Sequence, residues 1–121
     1  MFIPHLFEET RIDKMHDVIT NHPLGAVIIH TASGLDANHI PFHLDPASGA
    51  LGTLRAHFSR EHPLGQAAAR ESDCLIVFQG PSAYISPSWY PSRNKHGKVQ
   101  PSWYYAVVHA YGRLQLADDH E

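Results

Sequence analysis

The chain is 121 residues long, enough for one domain and too short for two ordinary ones. Hydrophobic residues make up 43% and charged residues 17%, which excludes a disordered acidic or basic tail. Nine Lys and Arg against twelve Asp and Glu leave a formal net charge of -3, with no basic cluster to bind nucleic acid by itself. The charged fraction is below the usual quarter of a globular chain, which points to a partly apolar outer surface such as a subunit interface. The 11 histidines outnumber Lys and Arg together, so the net charge moves toward positive as pH falls below about 6.5. Cys74 has no partner for an intramolecular disulfide and fits a reducing compartment. No apolar run approaches the roughly 20 residues of a spanning helix, and residues 1–9 lack the basic-then-apolar pattern of a secretory signal. The expectation is a soluble cytoplasmic protein.

Residues 8–21 read as a helix, with Ile12, Met15 and Ile19 on one face, Glu8 and Glu9 complementing the helix dipole, and Pro23 just beyond its end. Residues 24–30 are a β-branched apolar run, hence a strand. A turn at Ser33-Gly34 follows. Residues 36–44 alternate, with Ile40, Phe42 and Leu44 on one face and His39, Pro41 and His43 on the other. Pro41 marks an edge or a bulge. Residues 51–57 read as a third strand, followed by a short helix opened or interrupted at Pro63. Residues 75–79 read as a buried strand, 83–86 as a short fifth, and 102–116 as a long final strand bent at Gly112. The long loop 87–101 is of a length that is usually functional or disordered. The pattern predicts a mainly β fold with small helices, a closed or split β-barrel, in a single domain over 1–121. The alternative is a five-stranded nucleic-acid-binding barrel. That fold wants basic and aromatic residues spread over one strand face, whereas here the aromatics collect at one loop.

His39 and His43 share a predicted strand face, and His57 and His62 flank the short helix. None of these spacings matches a metal pattern, so the histidines read as surface or hydrogen-bonded core residues and no metal site is expected. Thr53, Arg55 and His57 alternate on one face of the third predicted strand, ahead of Ser59 and the amides of the next helix. A guanidinium beside free helix amides forms a phosphate cradle. The competing reading pairs Arg55 with a carboxylate such as Asp36 or Glu61. Trp89, Tyr90, Trp103, Tyr104 and Tyr105 flank a loop carrying Arg93, Lys95 and Lys98. This group suits a planar anionic ligand or a partner surface, or else forms a satellite core under the loop. In the first reading Trp89 is anchored and residues 93–98 close over ligand. No nucleophile elbow, phosphate loop or dinucleotide fingerprint occurs.

Several stretches carry a resemblance. They are His22-Pro-Leu-Gly25, Asp36-Ala-Asn-His-Ile-Pro-Phe42, Leu51-Gly-Thr-Leu-Arg-Ala-His57, Phe78-Gln-Gly-Pro81, Ala83-Tyr-Ile-Ser-Pro-Ser-Trp-Tyr-Pro-Ser92, Pro101-Ser-Trp103 and Val108-His-Ala-Tyr-Gly112. In this order they span nearly the whole chain. It resembles the PaiB-like family of FMN-binding negative transcriptional regulators, which have the split-barrel fold of the pyridoxamine phosphate oxidase type. Tyr104 departs from the family's Asn, and family members usually continue past the final strand, into a part that completes the barrel or the flavin pocket. The resemblance implies an FMN-binding split barrel acting as a homodimer, with a flavin at each end of the subunit interface. It implies that Arg55 with His57 holds the phosphate, and that Thr53 and the backbone at Asn38 and His39 line the ribityl chain and ring. Trp89 and Trp103 would wall the isoalloxazine. The regulator label implies a transcription-linked role, although no basic recognition helix is visible. A flavin-dependent oxidoreductase, a module without flavin, and a haem- or metal-binding split barrel are the alternatives.

Overall fold

Successive side chains of the apolar run Gly25-Ala-Val-Ile-Ile29 point to opposite faces, so Gly25, Val27 and Ile29 are buried while Ala26 and Ile28 are half-buried, which gives the first strand a core side and an outer side. The structure, a computed structural model, describes residues 1–3, 5–85 and 102–117. Trp89, Tyr90 and the proposed lid segment 93–98 lie outside the described residues.

A short 3-10 turn, His5–Phe7, precedes helix α1, Ile12–Asn21. The helix starts four residues later than residues 8–21 predict. Arg11 takes an extended conformation at its N-cap, and its guanidinium grips Glu9 outside the helix, so only Asp13 serves the first turn. That contact holds the Glu9 carboxyl below its ordinary value. The helix ends where the His22 amide donates to the Val18 carbonyl at 2.9 Å, with Pro23 next in the chain.

Strands β1, Leu24–Thr31, and β2, Gly34–Pro41, form a hairpin in which Leu24 faces Pro41 and Thr31 faces Gly34. The predicted strand 36–44 is two strands. β2 stops at Pro41, Phe42 sits between, and β3, His43–Asp45, pairs with β4, Thr53–Arg55. Helix α2, Leu64–Ala69, starts directly after Pro63, as a proline that opens helices requires. The segments 75–79 and 83–86 are likewise one strand, β5, Asp73–Ile85. It runs antiparallel to β6, Ser102–Arg113, with an irregularity between Gln79 and Ser82. Pro81 lacks an amide hydrogen and lies inside that irregularity, which is how the continuous strand reads as two in sequence.

The strands make one antiparallel sheet of order β2-β1-β5-β6 and a second of β3-β4, the mainly β split-barrel architecture. One face of the larger sheet is the core. Val27, Ile29, Cys74, Ile76 and Phe78 pack there with Ile19 of α1 and Leu64 and Ala67 of α2. Ile40, Phe42, Leu44, Leu54 and Val108 close around them. The opposite face has no covering element among the described residues. Registers place His39, Ala26, Val77 and His109 in one row across it, and Ala37, Ile28, Leu75 and Tyr111 in the next.

Gly25 is a packing requirement. A Cβ there would lie 2.8 Å from Ile76 Cγ2, 3.0 Å from Phe78 and 3.1 Å from Phe42. Gly25→Ala should therefore destabilise the fold by about 1–3 kcal/mol, read as a lowered urea midpoint with an unchanged slope.

Cys74 is a buried free thiol in the core, and burial, seconded by the Asp73 charge, pushes its titration above the ordinary 9.0. The neutral thiol that the fold favours stabilises it below the unfolded value, and that contribution is lost as pH rises through the folded one. Alkylation by iodoacetamide at pH 8 should be at least tenfold slower in native protein than in urea.

Candidate functional site

The outer face of the larger sheet is hollowed where Ala26 lies between His39 of β2 and Val77 of β5. A small side chain between larger neighbours leaves a dip in a sheet surface. The resulting groove is about 540 Å³, within the range of small-molecule sites, and is lined by His22, Pro23, Leu24, Ala26, His39, Pro41, Val77, Gln79 and Gly80. Its polar side chains are two imidazoles and one carboxamide, with no carboxylate and no primary cation. Such a lining suits a flat, largely apolar ring with a hydrogen-bonding edge.

Past Pro41 the alternation continues through Phe42 into β3. Ile40, Phe42 and Leu44 turn to the core, while His39, Pro41 and His43 stay exposed. His43 faces Arg55 in the β3–β4 register. Arg55 therefore sits opposite a residue one strand repeat, roughly 7 Å, beyond the groove's Pro41 wall. The Arg55 guanidinium is exposed and lies 3.8 Å from Asp45 Oδ2, a loose contact that leaves most of its five donors available. The carboxylate beside Arg55 is thus Asp45, two residues on from His43, and neither Asp36 nor Glu61. Thr53 shares this side of β4. Its hydroxyl donates to the Ser48 carbonyl at 2.9 Å and also lies 2.9 Å from the Ser48 hydroxyl, fixing the turn between the two strands.

The remaining candidates are dispersed. Asn38 is on the core side of β2 and donates to Asp36 Oδ2 at 3.1 Å, so only its backbone borders the outer face. His57 lies beyond β4, exposed, and does not continue the Thr53–Arg55 alternation because the strand ends at Arg55. Trp103 lies on β6 opposite Tyr84, near the far end of the sheet. Trp89 is outside the described residues. Sequence reasoning did not single out His22, Gln79 and Gly80 as site residues. The signal was present, because each lies in a short stretch shared with the PaiB-like pattern, and these stretches form two walls of the groove. Among the described residues no group of three or more His, Cys, Asp or Glu could hold a metal ion.

Comparison with known proteins points to a flavin nucleotide. A family profile described as "Putative FMN-binding domain" matches residues 1–121. The chain belongs to this FMN-binding family, whose cofactor is FMN. It is 31% identical over 137 residues to an uncharacterized protein of Saccharomyces cerevisiae, covering 98% of this chain and 80% of that one. It is 29% identical over 121 residues to the protease synthase and sporulation protein PAI 2 of Bacillus subtilis, covering 100% of this chain and 56% of the relative. An uncharacterized protein of Emericella nidulans is 30% identical over 145 residues, with 98% of this chain and 58% of that protein covered. The PaiB-like resemblance is thereby borne out. The chain spans a little over half the length of the latter two relatives.

Asp45 has two roles that mutation can separate. Its Oδ1 accepts the Ala47 amide at 3.2 Å in the turn, and its Oδ2 faces Arg55. Asp45→Asn keeps the turn acceptor and should cost less than about 0.5 kcal/mol, the worth of an exposed ion pair. Asp45→Ala loses both and should cost about 1 kcal/mol. Chemical denaturation of the two variants checks the order.

Proposed function

We propose that this chain is a homodimeric FMN protein whose flavin ring lies in the Ala26 groove and whose phosphate is held by Arg55. The observation that carries the reading is a groove on the outer sheet face whose Pro41 wall lies one strand repeat from His43, the residue that faces the exposed Arg55. His57, exposed just past β4, is the second phosphate ligand. Thr53 and the backbone at Asn38 and His39 line the ribityl chain. His22, His39 and Gln79 supply the hydrogen bonds that orient its polar edge. FMN supplies hydride or electron transfer when bound. The chain's own contribution is binding, orientation and exclusion of water on the sheet side.

The reading favours a redox module acting on a small molecule over a protein that grips an operator itself. Support for this comes from α1, which sets Lys14 between Asp13 and Asp17 and so offers no basic face for a DNA groove. A transcription-linked role would then run through a partner. The relative named for protease synthesis and sporulation gives that second reading its only support. Among the described residues no helix is long and apolar enough to cross a membrane. The cytoplasm remains part of the proposal, resting on the single buried thiol.

Purified protein mixed with FMN should show a perturbed flavin absorbance band, and bleaching by NADH or NADPH would mark an oxidoreductase. Arg55→Ala should weaken FMN binding by about 1.5–3 kcal/mol while barely changing riboflavin binding, because riboflavin lacks the phosphate. Equal losses for both ligands in a folded variant would place Arg55 in a structural role instead.

A further inference from the structure

The outer sheet face and the N-terminal arm, the residues ahead of Glu8, are two apolar surfaces left uncovered among the described residues. On the face, Leu24, Leu35, Tyr105 and Tyr111 are 59–77% exposed, and Ala26, Ile28, Leu75, Val77 and Val107 lie half-buried between them. Its formal charges are confined to one end, where Asp73 and Arg113 approach each other at 3.8 Å. In the arm, Met1, Phe2, Ile3 and Phe7 are 42–87% exposed, so none of these four side chains reaches the chain's own core.

We propose that the arm of each protomer seats on the outer sheet face of a second copy and roofs its groove, so that the flavin site is completed by the partner. The inference rests on the homodimeric FMN reading and adds to it the segment that crosses between copies. Three observations lead to it. The arm runs into α1, which packs through Ile19 on the core side of the sheet, the side opposite the chain's own groove. The exposed arm side chains Met1, Phe2, Ile3 and Phe7 are apolar and the face carries formal charge only at its Asp73–Arg113 end, so apposing them away from that end buries no formally charged side chain.

The third observation is one of area. At strand spacing of about 4.8 Å and a rise of about 3.3 Å per residue, the four-stranded part of the face presents roughly 500–600 Å². That is the upper limit for the largest apolar patch of a monomer, and it falls short of the about 800 Å² per partner that a stable interface takes. Phe2 and Phe7, at roughly 150–250 Å² for each buried aromatic, supply the difference. The dyad of such a dimer is isologous, so each groove receives one arm.

The test uses the full chain, the double variant Phe2→Asp/Phe7→Asp, and Tyr111→Asp on the face. Circular dichroism and thermal unfolding confirm that each is folded. Sedimentation equilibrium gives the dimer dissociation constant, and flavin fluorescence gives FMN affinity at two protein concentrations. The expected result is a dimeric wild type. Both variants should then be shifted at least tenfold toward monomer, and the arm variant should bind FMN at least tenfold more weakly at low protein concentration. A dimeric wild type that the arm variant leaves unchanged while Tyr111→Asp dissociates it would overturn the arm and leave the homodimer standing. A wild type that binds FMN as a monomer would overturn the arm and the homodimer together. Flavin binding that is lost in Arg55→Ala but indifferent to the arm variant would likewise exclude the arm as a roof.

Discussion

The placement of Phe42 against Gly25 and Phe78 holds the two sheets in one molecule. The Phe42 amide donates to the Pro23 carbonyl at 2.9 Å, and its ring meets Phe78 edge-on with centroids 5.7 Å apart. Gly25 makes the approach possible by presenting no side chain. Because Phe42 is the single residue between β2 and β3, pinning it fixes where the β3–β4 hairpin departs from the larger sheet. It therefore also fixes the offset between the groove and Arg55. A core contact that touches no ligand thus sets the spacing on which the proposed cofactor site depends.

Most of the fold is visible in the amino-acid pattern because its signals are local. Strand β1 shows itself through β-branched residues, helix α2 through Pro63, and the face assignment of residues 39–44 through strict alternation that survives the break at Phe42. What sequence alone misplaces depends on distant partners. The split of residues 36–44 reflects the Pro23–Phe42 bond, and the fusion of 75–79 with 83–86 reflects continuous pairing with β6. The start of α1 is decided by a side-chain ion pair that competes with the helix for Arg11.

The candidate site is less legible, for the same reason. Thr53 and Arg55 are read correctly as neighbours on one strand side, but Asp45 becomes Arg55's partner only through the hairpin register. The groove is harder still. His22, His39 and Gln79 come from three segments far apart in the chain, and their convergence is a property of the β2-β1-β5 order. Histidine abundance suggests many unrelated roles, and the structure distributes them. His62 Nδ1 accepts the Leu64 amide at the start of α2, His16 Nε2 lies 2.8 Å from the Leu51 carbonyl, and among the described histidines only His22 and His39 line the groove.

The irregularity in β5 places three residue steps, from Gln79 to Ser82, against the two from Val107 to Tyr105. One surplus residue reverses the parity of the strand, so even-numbered positions beyond it point where odd-numbered positions did before. Removing Gly80 would restore regular pairing and leave Ser82 and Tyr84 on the same side of the sheet as now, while taking away one end of the groove. Length at this point is therefore free to vary without rewriting the strand that follows. A chain of this fold can shorten this groove by a single residue and keep the outward-facing side chains beyond it in place.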